Sequence, residues 1–117
     1  MDNPLNSIKS LSKNHLYRQL ISSAIDSLNN NNYDEAEAFA VKAIAIDCNL
    51  PDAHNLLGAI YELKGDNIHA ERHYLAANSL DPTYLPAIRN IRRLTTFSFQ
   101  HKRIHPDLGN EKLTILE

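Results

Sequence analysis

The sequence predicts an all-α fold, in which two antiparallel helix-turn-helix repeats are followed by a C-terminal capping helix. Three observations predict it. The chain has only three glycines in 117 residues, and alanine is frequent, which favours helices. It resembles itself at a spacing of 34 residues. Its apolar residues recur at helical spacing, and the segments that carry them end at turn-forming residues.

The internal repeat appears when the chain is shifted by 34 residues. Four positions then coincide: Ala36 with Ala70, Glu37 with Glu71, Ala43 with Ala77, and Asp47 with Asp81. A third, partial copy aligns Ala87 with Ala53 and Ile91 with Leu57. We therefore divide the chain into an N-terminal extension (1–15), a repeat domain (16–100) and a C-terminal tail (101–117).

The first repeat (17–50) is predicted to contain helices at 17–29 and 33–47, separated by three asparagines. Asn32, with Glu35 three residues later, resembles a capping box. The second repeat (51–84) is predicted to contain helices at 51–64 and 67–80. Gly65 suits a left-handed helix stop, Asp66 suits the N-cap of the next helix, and Asp81 precedes a proline that ends it.

A capping helix is predicted at about 84–99, within a unit that we place at 84–100. Pro86 is tolerated in its first turn. The helix is amphipathic, since apolar residues alternate at helical spacing with arginines. These residues are Ile88, Ile91 and Leu94, with Arg89, Arg92 and Arg93.

The second repeat carries a spaced set of residues found in a known repeat family. The set consists of Leu57-Gly58, Tyr61, Gly65, Ala70, Tyr74, Ala77 and Leu80-Asp81-Pro82. With its period of 34, it resembles the tetratricopeptide repeat pattern. Residues 17–50 fit the pattern more weakly, and residues 85–100 resemble the first helix of a third repeat.

The resemblance implies a concave groove, lined by the first helix of each pair, that receives a peptide or a helix. The corresponding residues here are Arg18, Ile21, Ile25, Asn55, Leu56, Ala59, Glu62, Arg89, Asn90 and Arg93. This groove would be apolar towards the N-terminal side and basic towards the C-terminal side, so it would suit a protein or peptide ligand with an acidic end. The expected function is therefore a non-catalytic protein-protein interaction module, an adaptor.

The apolar part of the groove has an alternative interpretation. Ile21, Ile25 and Leu28 can instead be covered by a helix that starts at Asn3-Pro4 and presents Leu5, Ile8 and Leu11. A second copy of the protein is another candidate cover, because arrays this short leave packing surface open at their ends. A weak homodimer therefore remains an open expectation.

The stretch HAERH raises the question of a metal site. His69 and His73 are four residues apart, which places both on one face of a helix, as a zinc site requires. The order differs from that of zinc proteases, in which glutamate directly follows the first histidine. A third ligand has no candidate nearby in sequence. We interpret the pair as histidines on a helix surface, and we expect no metal, cofactor or catalytic residues.

Charge and composition favour protein partners over nucleic acid or membrane. The net charge is −2, and no apolar run approaches the ~20 residues that span a bilayer. Residues 85–105 carry five basic residues and no acidic one, so a phosphate- or nucleic-acid-binding module is the alternative function. A single cysteine and the absence of a signal-peptide pattern predict a cytoplasmic location.

One tripeptide in the C-terminal tail resembles a motif of another protein family. His105-Pro106-Asp107 matches the signature loop of J-domain cochaperones, some of which carry tetratricopeptide repeats. A J-domain needs its own helix pair before this loop and a long helix after it. Here the upstream helix belongs to the repeat domain, and only ten residues follow Asp107. A fragment of such a cochaperone is therefore a further, lesser alternative.

Overall fold

Five α-helices form the described part of the chain. The computed structural model describes the backbone of residues 4–96 and 105–110, and the side chains of residues 12–96 and 105–110. The helices are α1 (Pro4–Asn29), α2 (Tyr33–Ile46), α3 (Pro51–Leu63), α4 (Asn67–Leu80) and α5 (Leu85–Thr95). No strand occurs within these residues, and the all-α prediction is confirmed.

Local signals place most helix ends where they are predicted. Gly65 has a φ of +87°, and Oδ1 of Asp66 accepts a 3.1 Å hydrogen bond from the backbone N–H of His69 at the start of α4. The prediction of a capping box at Asn32 is wrong. The Asn32 side chain caps no backbone N–H, because its amide group points to the Glu35 carboxylate at 3.5 Å.

Helix α1 is longer than predicted. It begins at Pro4 and continues to Asn29, so the proposed boundary at residues 15 and 16 falls inside a helix. Neither glycine nor proline occurs between these ends to interrupt it. The side chains of Leu5, Ile8 and Leu11 lie outside the described residues. Their backbone belongs to the same continuous helix as Ile21 and Ile25, so this part of the chain does not fold back over those residues.

Helix α5 is shorter than predicted and ends at Thr95; residues 97–99 lie outside the described part. Thr95 and Thr96 are β-branched, which lowers helix propensity at this end. The hydroxyl of Thr95 donates to the Ile91 carbonyl at 2.8 Å, and that of Thr96 donates to the Arg92 carbonyl at 2.5 Å. Such bonds to the carbonyl four residues earlier slightly destabilise a helix. The remaining differences are one residue each: α2 ends at Ile46, α3 ends at Leu63, and α5 begins at Leu85.

Turns of three or four residues join successive helices, so neighbours run antiparallel. Helix α1 packs on α2 and α3 on α4, and further contacts join α2 to α3, α4 to α5 and α1 to α3. Small residues allow these close contacts. Each of the five helices contributes at least one alanine that is 0% exposed: Ala24, Ala36, Ala40, Ala43, Ala53, Ala59, Ala70, Ala77 and Ala87.

Two aromatic residues connect the helices at specific points. The Tyr74 ring lies directly against Gly58, where an added Cβ would come within 2.5 Å of the ring atom Cδ1. The Tyr17 hydroxyl of α1 accepts a 3.1 Å hydrogen bond from the backbone N–H of Ala53, in the first turn of α3. Burial raises the pKa of Tyr17 to about 12. Through this bond the Tyr17 hydroxyl satisfies a buried N–H at a helix start and connects the helix pair α1–α2 to the helix pair α3–α4.

Candidate functional site

Residues 105–110, here named the tail segment, lie in a groove formed by α1, α3 and α5. The segment contains no helix or strand. Pro106 and Asp107 are buried, and Leu108 packs on the core cluster that contains Leu28 and Leu56. The chain therefore places one of its own extended segments against the helices that were predicted to line a ligand groove.

Two asparagines hold the main chain of Asp107. The Asn90 side chain bonds both of its polar groups: its Oδ1 accepts from the Asp107 N–H and its Nδ2 donates to the Asp107 carbonyl, each at 2.8 Å. The Asn55 Nδ2 donates to the same carbonyl at 2.8 Å. The two amides also bond each other, from Asn90 Nδ2 to Asn55 Oδ1 at 2.9 Å. Both side chains are at most 1% exposed, so water does not compete for these bonds.

The carboxylate of Asp107 makes its own contacts. Its Oδ2 accepts from Arg89 Nη1 at 3.1 Å, and its Oδ1 accepts from the Gly109 N–H at 2.9 Å. The Asp107 side chain is only 10% exposed, whereas that of Arg89 is 44% exposed. Gly109 has a φ of +85°, and a Cβ at this position would overlap the Tyr84 hydroxyl. The turn after Asp107 therefore requires glycine.

A second layer of side chains orients Asn90. Arg93 donates to Asn90 Oδ1 at 3.1 Å and forms a two-pronged ion pair with Glu62, in which one distance is 2.7 Å. The Tyr74 hydroxyl donates to the same carboxylate at 2.7 Å. The hydrogen bonds to Glu62 raise the pKa of Arg93, and burial, followed by the Glu62 charge, raises the pKa of Tyr74. Each member has a partner, which makes the network rigid.

Open space lies on both sides of the tail segment. A cavity of about 460 Å³ adjoins Pro106 and Leu108, near the C-terminal ends of α1 and α3 at Leu28 and Leu63. A second, of about 210 Å³, adjoins Gly109 and Asn110. Its other walls are Tyr17, Arg18, Ile21, Ser22, Ile25 and Asp52. Pro106 lies near the end of α3 and Gly109 near its start, so the segment runs antiparallel to α3, and open space remains beside it.

The predicted groove residues fall into four groups. Asn55, Arg89 and Asn90 contact the tail segment directly, and Glu62 and Arg93 support Asn90 from behind. Arg18, Ile21 and Ile25 line the smaller cavity. Leu56 and Ala59 have no exposed surface, and Leu56 belongs to the cluster under Leu108.

Sequence reasoning missed the occupant of the groove. The sequence pattern marks Asp107 only as part of the tripeptide His105-Pro106-Asp107, and it indicates no role for Tyr84 or Gly109. The available signal was a Pro-Asp-Leu-Gly order in a stretch without helical periodicity.

The histidines of α4 are engaged in other contacts. His69 Nδ1 lies 2.6 Å from Asp66 Oδ2. His73 stacks on Tyr61, with ring centres 5.4 Å apart, and on His54 at 5.8 Å. Burial lowers the pKa of both His54 and His73. Within the described residues, no group of three or more potential ligands is arranged to hold a metal ion.

Comparisons of the chain with protein-family models, with curated proteins and with solved structures find no match. Among the helices of the described residues, none combines the length and the apolar character that crossing a membrane requires.

Proposed function

We propose that this chain is a non-catalytic protein-interaction module of the tetratricopeptide type, and that it binds an extended peptide in the groove along α1, α3 and α5. The observation that carries this proposal is the pair of buried amides, Asn55 and Asn90, which bond the N–H and the carbonyl of a peptide main chain. Main-chain groups are common to every peptide, so a site of this kind suits peptide recognition.

The spacing of structural features supports the assignment to this repeat type. Ala36 and Ala70 are both fully buried, as are Ala43 and Ala77. Asp47 Oδ1 accepts from the backbone N–H two residues later at 2.9 Å, and the aspartate 34 positions on does the same at 3.0 Å. Residues one repeat apart therefore have the same burial or the same turn contact.

The charges of α5 favour a peptide over nucleic acid. Arg89 pairs with the Asp107 carboxylate and Arg93 with Glu62, so two of the three arginines of this helix already have acidic partners. Phosphate binding needs cations that are free to contact it. The exposed thiol of Cys48 agrees with the proposed cytoplasmic location, where thiols stay reduced.

Selection from a displayed peptide library tests this function. Because the tail segment fills the groove, the target is a full-length variant with Asp107→Arg and Gly109→Val, here named the open-groove variant. The first change places a cation beside Arg89, and the second adds a branched side chain where φ is +85°. We expect it to retain peptides whose binding depends little on salt.

Two further substitutions in the open-groove variant provide the control. Asn55→Ala should abolish binding of the selected peptides, whereas Asn67→Ala, at an exposed position of α4, should not change it. Peptides that bind equally well to the Asn55→Ala protein would contradict the proposal. So would preferential binding of an oligonucleotide that weakens steeply with salt.

A further inference from the structure

The tail segment occupies the groove in the manner of a bound peptide. We propose that the groove selects extended peptides with the order proline, aspartate, apolar residue and glycine, and that residues 106–109 are a built-in copy that a partner protein has to displace. This inference rests on the peptide-binding function proposed above and specifies its ligand.

Selection for aspartate comes from the side-chain contacts, since the main-chain bonds do not distinguish residues. The carboxylate is nine-tenths buried and accepts hydrogen bonds from Arg89 and from the Gly109 N–H. An apolar residue in its place leaves both donors without this acceptor, and a basic residue meets the positive charge of Arg89. Both alternatives are therefore less favourable than aspartate at this position.

The neighbouring positions are selected by shape and by backbone conformation. Pro106 is buried, and because proline has no N–H its burial leaves no donor unsatisfied. Its ring also restricts the free peptide, which lowers the entropy lost on binding. Leu108 packs on the cluster that contains Leu28 and Leu56. Gly109 is required by its positive φ and by its contact with the Tyr84 hydroxyl.

The built-in copy competes through proximity, whereas a partner competes through additional contacts. Only residues 97–104 separate α5 and its cap from the tail segment in sequence, and a short tether gives an effective concentration of order mM. The cavities beside Pro106 and beside Asn110 leave apolar surface of Leu63, Ile21 and Ile25 available to a longer ligand. A partner peptide that fills them gains burial that the tail segment lacks.

The test measures binding of a capped, fluorescent hexapeptide with the sequence of residues 105–110, by anisotropy, to full-length proteins. The open-groove variant should bind it at least about tenfold more tightly than the wild-type chain, in which the groove is occupied. Adding Asn90→Ala to that variant should weaken binding at least about tenfold. Circular dichroism establishes that each variant is folded, and Gly109→Val alone serves as a second way of freeing the groove.

Modified peptides probe each contact. Methylation of the backbone nitrogen of the aspartate removes its N–H and should weaken binding at least about tenfold. The matched control is methylation of the leucine nitrogen, because the Leu108 N–H makes no hydrogen bond to the groove among the described residues. A peptide with asparagine in place of aspartate should also bind more weakly, through the lost charge on Arg89.

The outcomes separate this inference from the proposed function. Failure of the hexapeptide to bind either freed protein, or equal binding by the wild-type and open-groove proteins, would overturn the inference. If the library then yields peptides of another sequence order whose binding requires Asn55, the proposed function stands without it. If the library yields none, both fail.

Discussion

Removal of the Asn90 side chain should destabilise the protein more than any other single truncation at the groove. Asn90→Ala eliminates four hydrogen bonds and leaves two buried groups, the Asp107 N–H and Asn55 Oδ1, without a partner. At about 1–3 kcal/mol for each such group, the loss is about 2–6 kcal/mol while the site stays closed. Release of the tail segment hydrates the Asp107 N–H and limits the cost, so we expect about 2–4 kcal/mol.

Urea and thermal unfolding, followed by circular dichroism, measure this loss. The melting temperature should fall by at least about 6 °C. Asp107→Ala should cost only about 1 kcal/mol, because its ion pair with the half-exposed Arg89 is screened by water and its main-chain bonds remain. Asn67→Ala, at an exposed position, should change the free energy of unfolding by less than about 0.5 kcal/mol. The reasoning is refuted if Asn90→Ala costs no more than Asp107→Ala.

Three other perturbations follow from the packing and the titratable groups. Ala70→Leu should overpack the buried contact of α4 and lower the free energy of unfolding in urea by about 1–3 kcal/mol, whereas Ala38→Leu, at an exposed position of α2, should not. Equal stabilities of the two variants would count against the packing described for Ala70. Tyr17→Phe leaves the buried Ala53 N–H at the start of α3 unpaired and should lower the free energy of unfolding by about 1 kcal/mol. An unchanged free energy of unfolding would mean that water replaces the hydroxyl as the acceptor. Burial lowers the pKa of His54 and His73 below the ordinary 6.5, so the unfolded chain binds protons more readily, and the free energy of unfolding should decrease as the pH falls below about 6.5. Replacing both histidines with glutamine should make the free energy of unfolding less dependent on pH in this range. If the pH dependence persists in that variant, it arises from other groups.

Helix positions could be predicted because their signals are local. The left-handed Gly65, the N-cap Asp66 and the prolines at helix starts act within one turn, so the residues alone place them. The start of the first helix was assigned from the repeat spacing instead. The absence of glycine and proline from residues 5–29 would have predicted the continuous α1 that the structure contains.

The groove was predicted in part. The repeat spacing places Asn55, Arg89 and Asn90 on the first helices of their units, and these three contact the tail segment. Arg93 was predicted to face a ligand, but it pairs with Glu62 instead. This pairing depends on how α5 lies against α3. Such a pairing joins residues that are 31 positions apart, beyond the range of local pattern.

The amino-acid sequence alone is enough to predict that this chain forms helices, where most of them end, and which small residues allow them to pack. Helical periodicity and capping act over a few residues and are therefore visible in the order of amino acids. The position of residues 105–110 in the groove, in contrast, is visible only in the folded chain. Their anchoring bonds use the N–H and carbonyl of Asp107, groups that every residue but proline carries in the same form. The position of those bonds follows from the convergence of Asn55 and Asn90 on two different helices.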